Sequence, residues 1–486
     1  MQTPVFPTLR IYADRFEALG AFAEAQAAWL QPDASVVAQL DSALRDQNTG
    51  VVAHFYMDPE LQGVLTACTW PHIHISDSLV MADRAVAMAE AGVRTIAVLG
   101  VDFMSENVRA MLDAAGHTDV AVYRVATDPI GCSLAEAAEA PAYGAYLSQA
   151  AHVTRALHVI YINTSLLTKA KAQRLVPTLT CTSSNVVRTI LQAFAQIPDL
   201  TLFFGPDTYM GGNLRAMFER YATLPDDEIR ALHPAHDQAS LRRVLQGLRI
   251  FESGTCIVHH LFGADVVARV RTHYADALVC AHLEVPGEMF ALAAELVPQG
   301  RGVVGSTSNI LDFINTKLDA SEVDASAVGP DAKPLTFVLG TEAGMITPIV
   351  RDVQRKLRAR GDTRPVEIVF PVSDHAVAAS EDPALGIVPG VAGGEGCSTA
   401  GGCATCPFMK MNRLDRLFDL LQRARRADPG LQAFEPRVYT ELLDGKTVAE
   451  LGGLPILHMR ALGRDGRLPE ALVADVCTRH AASATV

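Results

Sequence analysis

The chain has 486 residues and a formal net charge of −13, with 49% hydrophobic and 20% charged residues. This length predicts roughly three globular domains, because one domain usually takes about 150 residues. The acidic balance excludes a general basic surface, so we expect no nucleic-acid partner.

Both ends of the chain are predicted to be helical extensions. Residues 1–45 contain FEALGAFAEAQAAWL and residues 413–486 contain RLDRLFDLLQRARRA, each with apolar residues at helical spacing. The first residues, MQTPVFPTLRIYADRF, show no basic stretch followed by an apolar one, and no apolar run approaches the roughly 20 residues of a membrane-spanning helix. The sequence therefore predicts a cytoplasmic protein with no membrane partner.

Between these extensions, apolar runs end abruptly in polar residues or glycine and give way to helical patterns. The runs are VVAHFY, TIAVLGV, VIYIN, LTCTSS, LFFGPD, LVCAHLE, GVVGSTS, FVLGTEAG and EIVFPVSD. Such runs are typical of buried parallel strands, and ligands bind at the carboxyl ends of these strands in open α/β sheets. We therefore predict an α/β fold.

A spacing of 22 residues recurs between the polar end of one run and a hydroxyl-rich helix start: Tyr56 to Ser78, Tyr161 to Ser183, and Glu284 to Ser306. We interpret the repeat as three related αβα domains, over residues 46–140, 141–262 and 263–412. Hydroxyl residues at helix starts are often ordinary N-caps. Because three occur at matched offsets, a shared pocket for carboxylates or phosphate is favoured instead.

The cysteines suggest a metal site. Residues 396–412, GCSTAGGCATCPFMKMN, contain Cys397, Cys403 and Cys406 in a C-x5-C-x2-C spacing, but no second pair follows to complete a zinc knuckle. One cysteine also follows each repeat: Cys132, Cys256 and Cys406. Three such thiolates on an iron–sulfur cubane would leave one iron open as a Lewis acid. Scattered structural cysteines are the alternative.

The ordered motifs resemble the quinolinate synthase family, iron–sulfur enzymes of de novo NAD biosynthesis. The resemblance runs from about His54 to Asn412. It rests on HFYMDPELQ, SDSLVMA, GVDFMSENVRAML, CSLAE, YINTSLLTKA, CTSSNVV, FGPD, GTCIVH, AHLE, GSTSNIL, GTEAGMI and CATCPFMKMN.

This resemblance implies three similar αβα domains with parallel sheets around a pseudo-threefold axis, with the active site and one [4Fe–4S] cluster per chain at the centre. It implies a transferase that condenses iminoaspartate with dihydroxyacetone phosphate to quinolinate, with loss of phosphate and water. It also implies a functional link to the enzyme that supplies iminoaspartate. Two alternatives stay open: another [4Fe–4S] hydro-lyase acting on a small di- or tricarboxylate, and a zinc-ribbon module on an α/β scaffold.

The resemblance also implies roles for individual residues. Tyr56 would transfer a proton and Glu284 would act as acid–base catalyst. The implied cluster ligands are Cys132, Cys256 and Cys406. The implied catalytic residues are His54, Tyr56, His282 and Glu284. The implied substrate-binding residues are His54, Asp77, Ser78, Tyr161, Asn163, Ser183, His282, Ser306 and Thr307.

Some positions depart from the family pattern or stay outside this set. Thr208 stands where family members often carry lysine, and the usual C-x2-C-x2-C-P is stretched, which leaves a Cys397–Cys403 redox pair in question. Residues 206–252 are expected to lie outside the site. Lys169 either neutralises a substrate anion or caps a helix. The remaining residues, Glu106, Glu342, His259 and His260, are expected to be structural or outside the first layer of the site.

Overall fold

The chain folds around three parallel β-sheets in a computed structural model that describes residues 5–256, 258–320, 333–372 and 406–479. The strands are β1 (Thr8–Ile11), β2 (Phe16–Leu19), β3 (Thr49–His54), β4 (Ile73–Ser76), β5 (Thr95–Leu99), β6 (Ala121–Arg124), β7 (Ala156–Tyr161), β8 (Thr178–Cys181), β9 (Thr201–Gly205), β10 (Leu248–Ile250), β11 (Leu278–His282), β12 (Gly302–Gly305), β13 (Leu335–Gly340), β14 (Val366–Val369), β15 (Leu442–Leu443) and β16 (Lys446–Thr447).

The α-helices are α1 (Ala21–Ala27), α2 (Ala34–Asp46), α3 (Pro59–Ala67), α4 (Ser78–Glu90), α5 (Asp102–Ala114), α6 (Ser133–Glu139), α7 (Pro141–Ala151), α8 (Leu166–Leu175), α9 (Val186–Gln196), α10 (Thr208–Tyr221), α11 (Asp226–Leu232), α12 (Gln238–Gly247), α13 (Ala264–His273), α14 (Gly287–Leu296), α15 (Thr307–Ala320), α16 (Ile346–Arg360), α17 (Leu414–Arg425), α18 (Val448–Asp465) and α19 (Glu470–Thr478). Among the described residues, none of these helices is both long enough and apolar enough to cross a membrane.

The three sheets share one strand order. It is β4-β3-β5-β6 in the first sheet, β8-β7-β9-β10 in the second, and β12-β11-β13-β14 in the third. All pairings within these sets of four are parallel. In each sheet the first strand in sequence therefore lies between the second and the third. The predicted α/β class with parallel sheets is confirmed.

The first strand of each sheet is buried along its whole length. This holds for β3, β7 and β11. Helices cover both faces of such strands, so every side chain along them is apolar or internally bonded. Their sequences show continuous apolar runs for this reason, and the polar residue that follows each run marks the sheet edge.

The N-terminal residues contribute a hairpin that the sequence analysis missed. Strand β1 pairs antiparallel with β14 and with β2, so the third sheet has six strands. The expectation of a purely helical segment over residues 1–45 is wrong in this respect, although α1 and α2 follow the hairpin. Each strand has only four residues, too few for a clear alternation of apolar and polar positions. The hairpin covers the edge that β14 would otherwise expose.

Candidate functional site

The polar residues that follow the first strand of each sheet lie close together at the carboxyl ends of the strands. The Tyr56 hydroxyl, after β3, is 3.3 Å from Thr307 Oγ1 at the start of α15 in the third sheet. The Tyr161 hydroxyl, at the end of β7, donates to Glu284 Oε1 after β11. These contacts join all three sheets at one site, as the repeat spacing predicted for ligand-binding strand ends.

Glu284 is buried and held by hydrogen-bond donors. Besides the Tyr161 hydroxyl, its Oε2 lies 3.1 Å from Nδ1 of His259. Burial alone would raise the pKa of this carboxyl, but His259 and the hydrogen bonds from His259 and Tyr161 outweigh it and lower the pKa. Glu284 is therefore a carboxylate at neutral pH and can accept a proton.

The imidazole rings of His54 and His282 are oriented by the same local hydrogen bond. In each, Nδ1 accepts a hydrogen bond from the amide two residues later, at 3.2 Å from Tyr56 N and 3.3 Å from Glu284 N. A neutral imidazole that accepts at Nδ1 carries its proton on Nε2. Burial lowers the pKa of His54 to about 4 and that of His282 to about 3. Both rings are thus neutral and offer an Nε2–H donor.

Tyr56 stays protonated, whereas Glu284 stays ionised. Burial, and then the charge of Glu284, raise the pKa of its phenol well above the usual value. Its ring packs edge-on against His54, with ring centroids 4.7 Å apart. The Tyr56 hydroxyl therefore stays protonated and can donate a hydrogen bond or a proton.

The three predicted cluster cysteines occupy equivalent positions. Cys132 precedes α6, while Cys256 and Cys406 precede short 3-10 turns at His259–Leu261 and Met409–Met411. Amide groups of each following turn lower the pKa of the thiol, against the larger effect of burial. The three side chains are partly exposed and pack against the same hydrophobic core.

Burial favours the neutral thiol form of all three cysteines. Burial raises the pKa of Cys132 to about 11 and that of Cys406 to about 12, and raises the pKa of Cys256 well above its usual value. The charges of Cys132 and Cys406 also raise the pKa of Cys256, so the three sulfurs lie within electrostatic range of one another. Metal ligation needs the thiolate form, so these three thiols would lose their protons only beside a cation. Cys397 and Cys403 lie outside the described residues.

His259 contacts two of the predicted site residues, Cys256 and Glu284. Its Nδ1 lies 3.3 Å from Cys256 Sγ, and ligand atoms of Cys256, His259 and Glu284 all lie within 4.8 Å of one another. The other ring nitrogen, Nε2, is buried with no hydrogen-bond partner among the described residues. His259 lies in a 3-10 turn that follows Cys256. The C-x2-H spacing in GTCIVH was the available signal.

The predicted anion-binding residues divide into two groups. Asp77 caps α4 by accepting from the amides of Leu79 and Val80, so its carboxylate is already engaged. Ser306 is engaged too, because its hydroxyl donates to Asn309 Oδ1 at 2.8 Å. The side chains of a second group make no hydrogen bond to other described residues and are available to a ligand: Ser78, Asn163 and Ser183.

The helix starts match the prediction in two sheets out of three. Helix α4 begins at Ser78 and α15 begins at Thr307, but α9 begins only at Val186. In the middle sheet, Asn185 Oδ1 accepts from the Thr182 amide and closes a turn before the helix. Ser183 therefore lies in a loop that lines a surface cleft of about 630 Å³.

Two buried side chains clamp the backbone on both sides of a site residue. Asn213 Nδ2 donates to the carbonyls of Leu283 (2.9 Å) and Val285 (2.7 Å), which flank Glu284. Lys169 Nζ donates to the carbonyls of Ile162 and Thr164, which flank Asn163. Lys169 is fully buried, so it neither faces a substrate nor sits in solvent at a helix end.

The expectation that residues 206–252 lie outside the site is wrong. Asn213 contacts the Glu284 loop directly, and Asp207, the N-cap of α10, is buried near enough for the charge of Glu284 to raise its pKa. One oxygen of Asp207 accepts from the Met210 amide at 2.9 Å, and the other has no partner among the described residues. The polar character of the rest of this stretch suggested a surface insertion, so the contact between Asn213 and the Glu284 loop was not predicted.

Glu342 holds the third cysteine segment. Its Oε2 accepts from the Gly344 amide at 2.7 Å and its Oε1 accepts from the Cys406 amide at 3.3 Å. Asn412 ties the other end of this segment to Gly100, with its Oδ1 3.0 Å from the Gly100 amide nitrogen. The Cys406 segment is therefore fixed at both ends.

Comparison with known proteins identifies the family of the chain. The family model described as quinolinate synthetase A protein matches residues 38–359. The chloroplastic quinolinate synthase of Nicotiana tabacum is 52% identical over 497 residues, covering 99% of this chain and 68% of that protein. The chloroplastic enzyme of Arabidopsis thaliana is 52% identical over 97% of this chain and 67% of that protein. That of Oryza sativa subsp. japonica is 51% identical over 97% and 69%.

The names of these relatives correct one expectation. All three are called chloroplastic, so the predicted cytoplasmic location is wrong. A basic stretch followed by an apolar one is typical of secretory and membrane leaders, whereas a plastid transit peptide has a different composition. The chain spans about two thirds of the length of these relatives. From the family match and these identities, the chain belongs to the quinolinate synthase family.

Proposed function

We propose that the chain condenses iminoaspartate with dihydroxyacetone phosphate to form quinolinate, with loss of phosphate and water. The observation that carries this is the meeting of a carboxylate, a protonated phenol and two neutral imidazoles beside three thiols, all at the strand ends. The reaction joins carbon to carbon and carbon to nitrogen and then aromatises the ring. It needs proton transfer at several atoms, which this set of groups can provide.

Family membership implies an iron–sulfur cluster, and Cys132, Cys256 and Cys406 are the residues that would hold it. When bound, a [4Fe–4S] cluster with three protein ligands supplies one open iron that polarises a substrate oxygen or nitrogen. His259 would then lie beside the Cys256 ligand and orient Glu284 through Nδ1. One such cluster per chain follows from one cysteine per repeat.

Proton transfers are assigned to Glu284 and Tyr56. The ionised Glu284 accepts a proton from the carbon or nitrogen being joined, while the Tyr161 hydroxyl and His259 hold its oxygens in place. The Tyr56 phenol donates to the oxygen that leaves or to an enolate oxygen. Thr307 orients the Tyr56 hydroxyl. The Nε2–H groups of His54 and His282 would donate to substrate carboxylate or carbonyl oxygens.

The remaining polar groups bind the substrate anions. The free side chains of Ser78, Asn163 and Ser183 offer hydroxyl and amide donors for two carboxylates and one phosphate. Asp77 and Ser306 would shape the pocket through helix capping. We also propose that residues 46–140, 141–262 and 263–412 are three domains around this centre, since each contains one of the sheets with the shared strand order.

The test is an anaerobic assay of the full chain. Iminoaspartate is generated in the cuvette by an enzyme that supplies it, dihydroxyacetone phosphate is added, and quinolinate, phosphate and iron are measured together. We expect quinolinate and phosphate in equal amounts, and about four irons per chain. Phosphate release without quinolinate, or substrate turnover that does not need dihydroxyacetone phosphate, would indicate a different hydro-lyase. A colourless protein that binds only zinc would contradict the proposal.

A further inference from the structure

A buried glutamate connects the C-terminal segment to the middle sheet. The Tyr439 hydroxyl donates to Glu106 Oε1 at 3.0 Å, and Glu106 Oε2 accepts from the Leu166 amide at 2.8 Å. Glu106 belongs to α5 of the first sheet and is almost fully buried, and Leu166 is the first residue of α8. One carboxylate thus joins the first repeat, the second repeat and the chain beyond residue 413.

The start of α8 is in turn attached to the substrate-binding turn. Lys169, in the first turn of α8, reaches back to the Ile162 and Thr164 carbonyls on either side of Asn163. Burial lowers the pKa of Lys169 to about 7, while the negative charge of Glu106 opposes this change and favours the ammonium form. Glu106 therefore supports both the α8 amide and the cation that fixes the turn.

Helix α18 packs against the start of α8, at Leu166. A Cβ atom on Gly452 would lie only 2.4 Å from the Leu166 carbonyl oxygen, so the two backbones are in direct contact. A Cβ on the next residue, Gly453, would meet only Met111 Cε at 3.6 Å. Further along α18, His458 Nδ1 lies 3.0 Å from the Thr178 carbonyl of β8. The helix thus lies across the start of α8 and the start of β8.

From these contacts we infer that the segment from Tyr439 through α18 positions the Tyr161–Asn163 turn by holding the first residue of α8. The inference rests on the proposed function for the substrate-binding role of that turn. The segment lies beyond the stretch that the family model matches, which ends at residue 359. Tyr439, Glu106 and Gly452 are positioning residues here, since they act on the turn through Leu166 and Lys169.

The test uses the full chain carrying Tyr439→Phe or Gly452→Ala. Y439F removes one hydrogen bond to Glu106, and G452A forces α18 away from the Leu166 carbonyl. The matched controls are G453A, where the added methyl finds room, and Tyr123→Phe, whose hydroxyl makes no hydrogen bond among the described residues. Hydrogen exchange of the Leu166 amide is measured first, and then binding of quinolinate by calorimetry, with iron content as a check.

Both test variants should exchange the Leu166 amide about five-fold faster and bind quinolinate about five-fold more weakly, as expected for one lost hydrogen bond. In turnover, KM for iminoaspartate should rise while kcat and iron content stay near those of the parent. Both controls should match the parent. Unchanged Leu166 exchange in Y439F and G452A would overturn the inference, as would faster exchange with unchanged quinolinate binding. A parent protein that makes no quinolinate contradicts the proposed function instead, and the exchange result still decides whether the segment holds α8.

Discussion

The first strands of the first and third sheets both end in a histidine. In the first sheet a proton donor follows this histidine, and in the third sheet a proton acceptor follows it. After β3, His54 accepts from the amide of Tyr56, and after β11, His282 accepts from the amide of Glu284. The phenol is kept protonated by burial, whereas the carboxyl is kept ionised by its hydrogen-bond donors. A repeated backbone turn therefore places a donor and an acceptor across one pocket.

The middle sheet differs from both. Its first strand ends at Tyr161, and burial raises the pKa of that phenol well above its usual value. Asn163 follows two residues later, in a turn that is clamped by Lys169 instead of by an imidazole. The Tyr161 hydroxyl supports Glu284 of the third sheet. Under the proposed roles, the outer two repeats would carry proton transfer and the middle repeat would carry binding and support.

The largest effect is expected from the cysteines, which all three repeats share. Changing Cys132, Cys256 or Cys406 to Ser should abolish the iron–sulfur cluster, because a neutral hydroxyl is a poor ligand for iron in such clusters. Iron content and visible absorption after anaerobic purification measure this. The exposed Cys477 is the control, and Cys477→Ser should retain full iron content. A cluster that survives loss of any one of the three ligands would show that the repeats do not contribute equally.

The second largest effect is expected from the residues proposed to transfer protons, which follow the first strands of the first and third sheets. Glu284→Gln removes the acceptor but keeps the shape of the side chain, so kcat should fall about 10²- to 10⁴-fold. Tyr56→Phe removes the donor and should cost kcat about 10²-fold. Single-turnover quinolinate formation measures both.

The corresponding change in the middle sheet is Tyr161→Phe. It should lower kcat less than either of these two changes, because Tyr161 only supports the carboxylate. Iron content must match that of the parent in all three variants. If Tyr161→Phe has the largest effect, the proposed division between the repeats is wrong.

An intermediate effect is expected from Asn213. Asn213→Asp replaces the amide donor with a carboxylate oxygen that faces the Leu283 and Val285 carbonyls, so the Glu284 loop should shift. We expect kcat to fall about ten-fold, which corresponds to about 1.4 kcal/mol, with iron content retained. Glu219→Gln, on the exposed side of the same helix, is the matched control. A normal kcat in the Asn213 variant would show that the loop needs no support from the second repeat.

Local patterns in the sequence predicted the parts of this site that depend on strand ends. His54, Tyr56, Tyr161, His282 and Glu284 follow buried apolar runs, and the carboxyl ends of parallel strands place them together. The fold class followed from the same runs. These features are visible in a single sequence because the period of a strand and its termination are local properties.

The parts that were missed depend on contacts between distant segments. Asn213 meets the Glu284 loop across 70 residues, and Glu106 meets Tyr439 across 333. No spacing rule predicts such pairs. The contacts of His259 depend on a 3-10 turn that brings its ring to Cys256, a detail that residue spacing alone does not specify.

The smallest predicted effect is on stability and concerns His158, the histidine inside the first strand of the middle sheet. It is fully buried, with Nε2 2.8 Å from the Tyr143 hydroxyl, and burial lowers its pKa to about 3. In the unfolded chain its pKa returns to about 6.5. The unfolded state therefore binds a proton between pH 6.5 and 3 that the folded state does not.

The free energy of unfolding should consequently fall as the pH drops below about 6.5, with His158 contributing up to about 1.4 kcal/mol per pH unit. His158→Gln keeps a polar partner for Tyr143 and removes the titration, so urea unfolding between pH 7 and 5 should show a shallower loss of stability than in the parent. His273→Gln, at an exposed position, should leave the slope as it is. An unchanged slope in His158→Gln would mean that the buried imidazole is already protonated in the folded protein. The middle repeat would then carry a charge within its first strand, and its contrast with the two outer repeats, whose histidines are neutral donors to the site, would have to be redrawn.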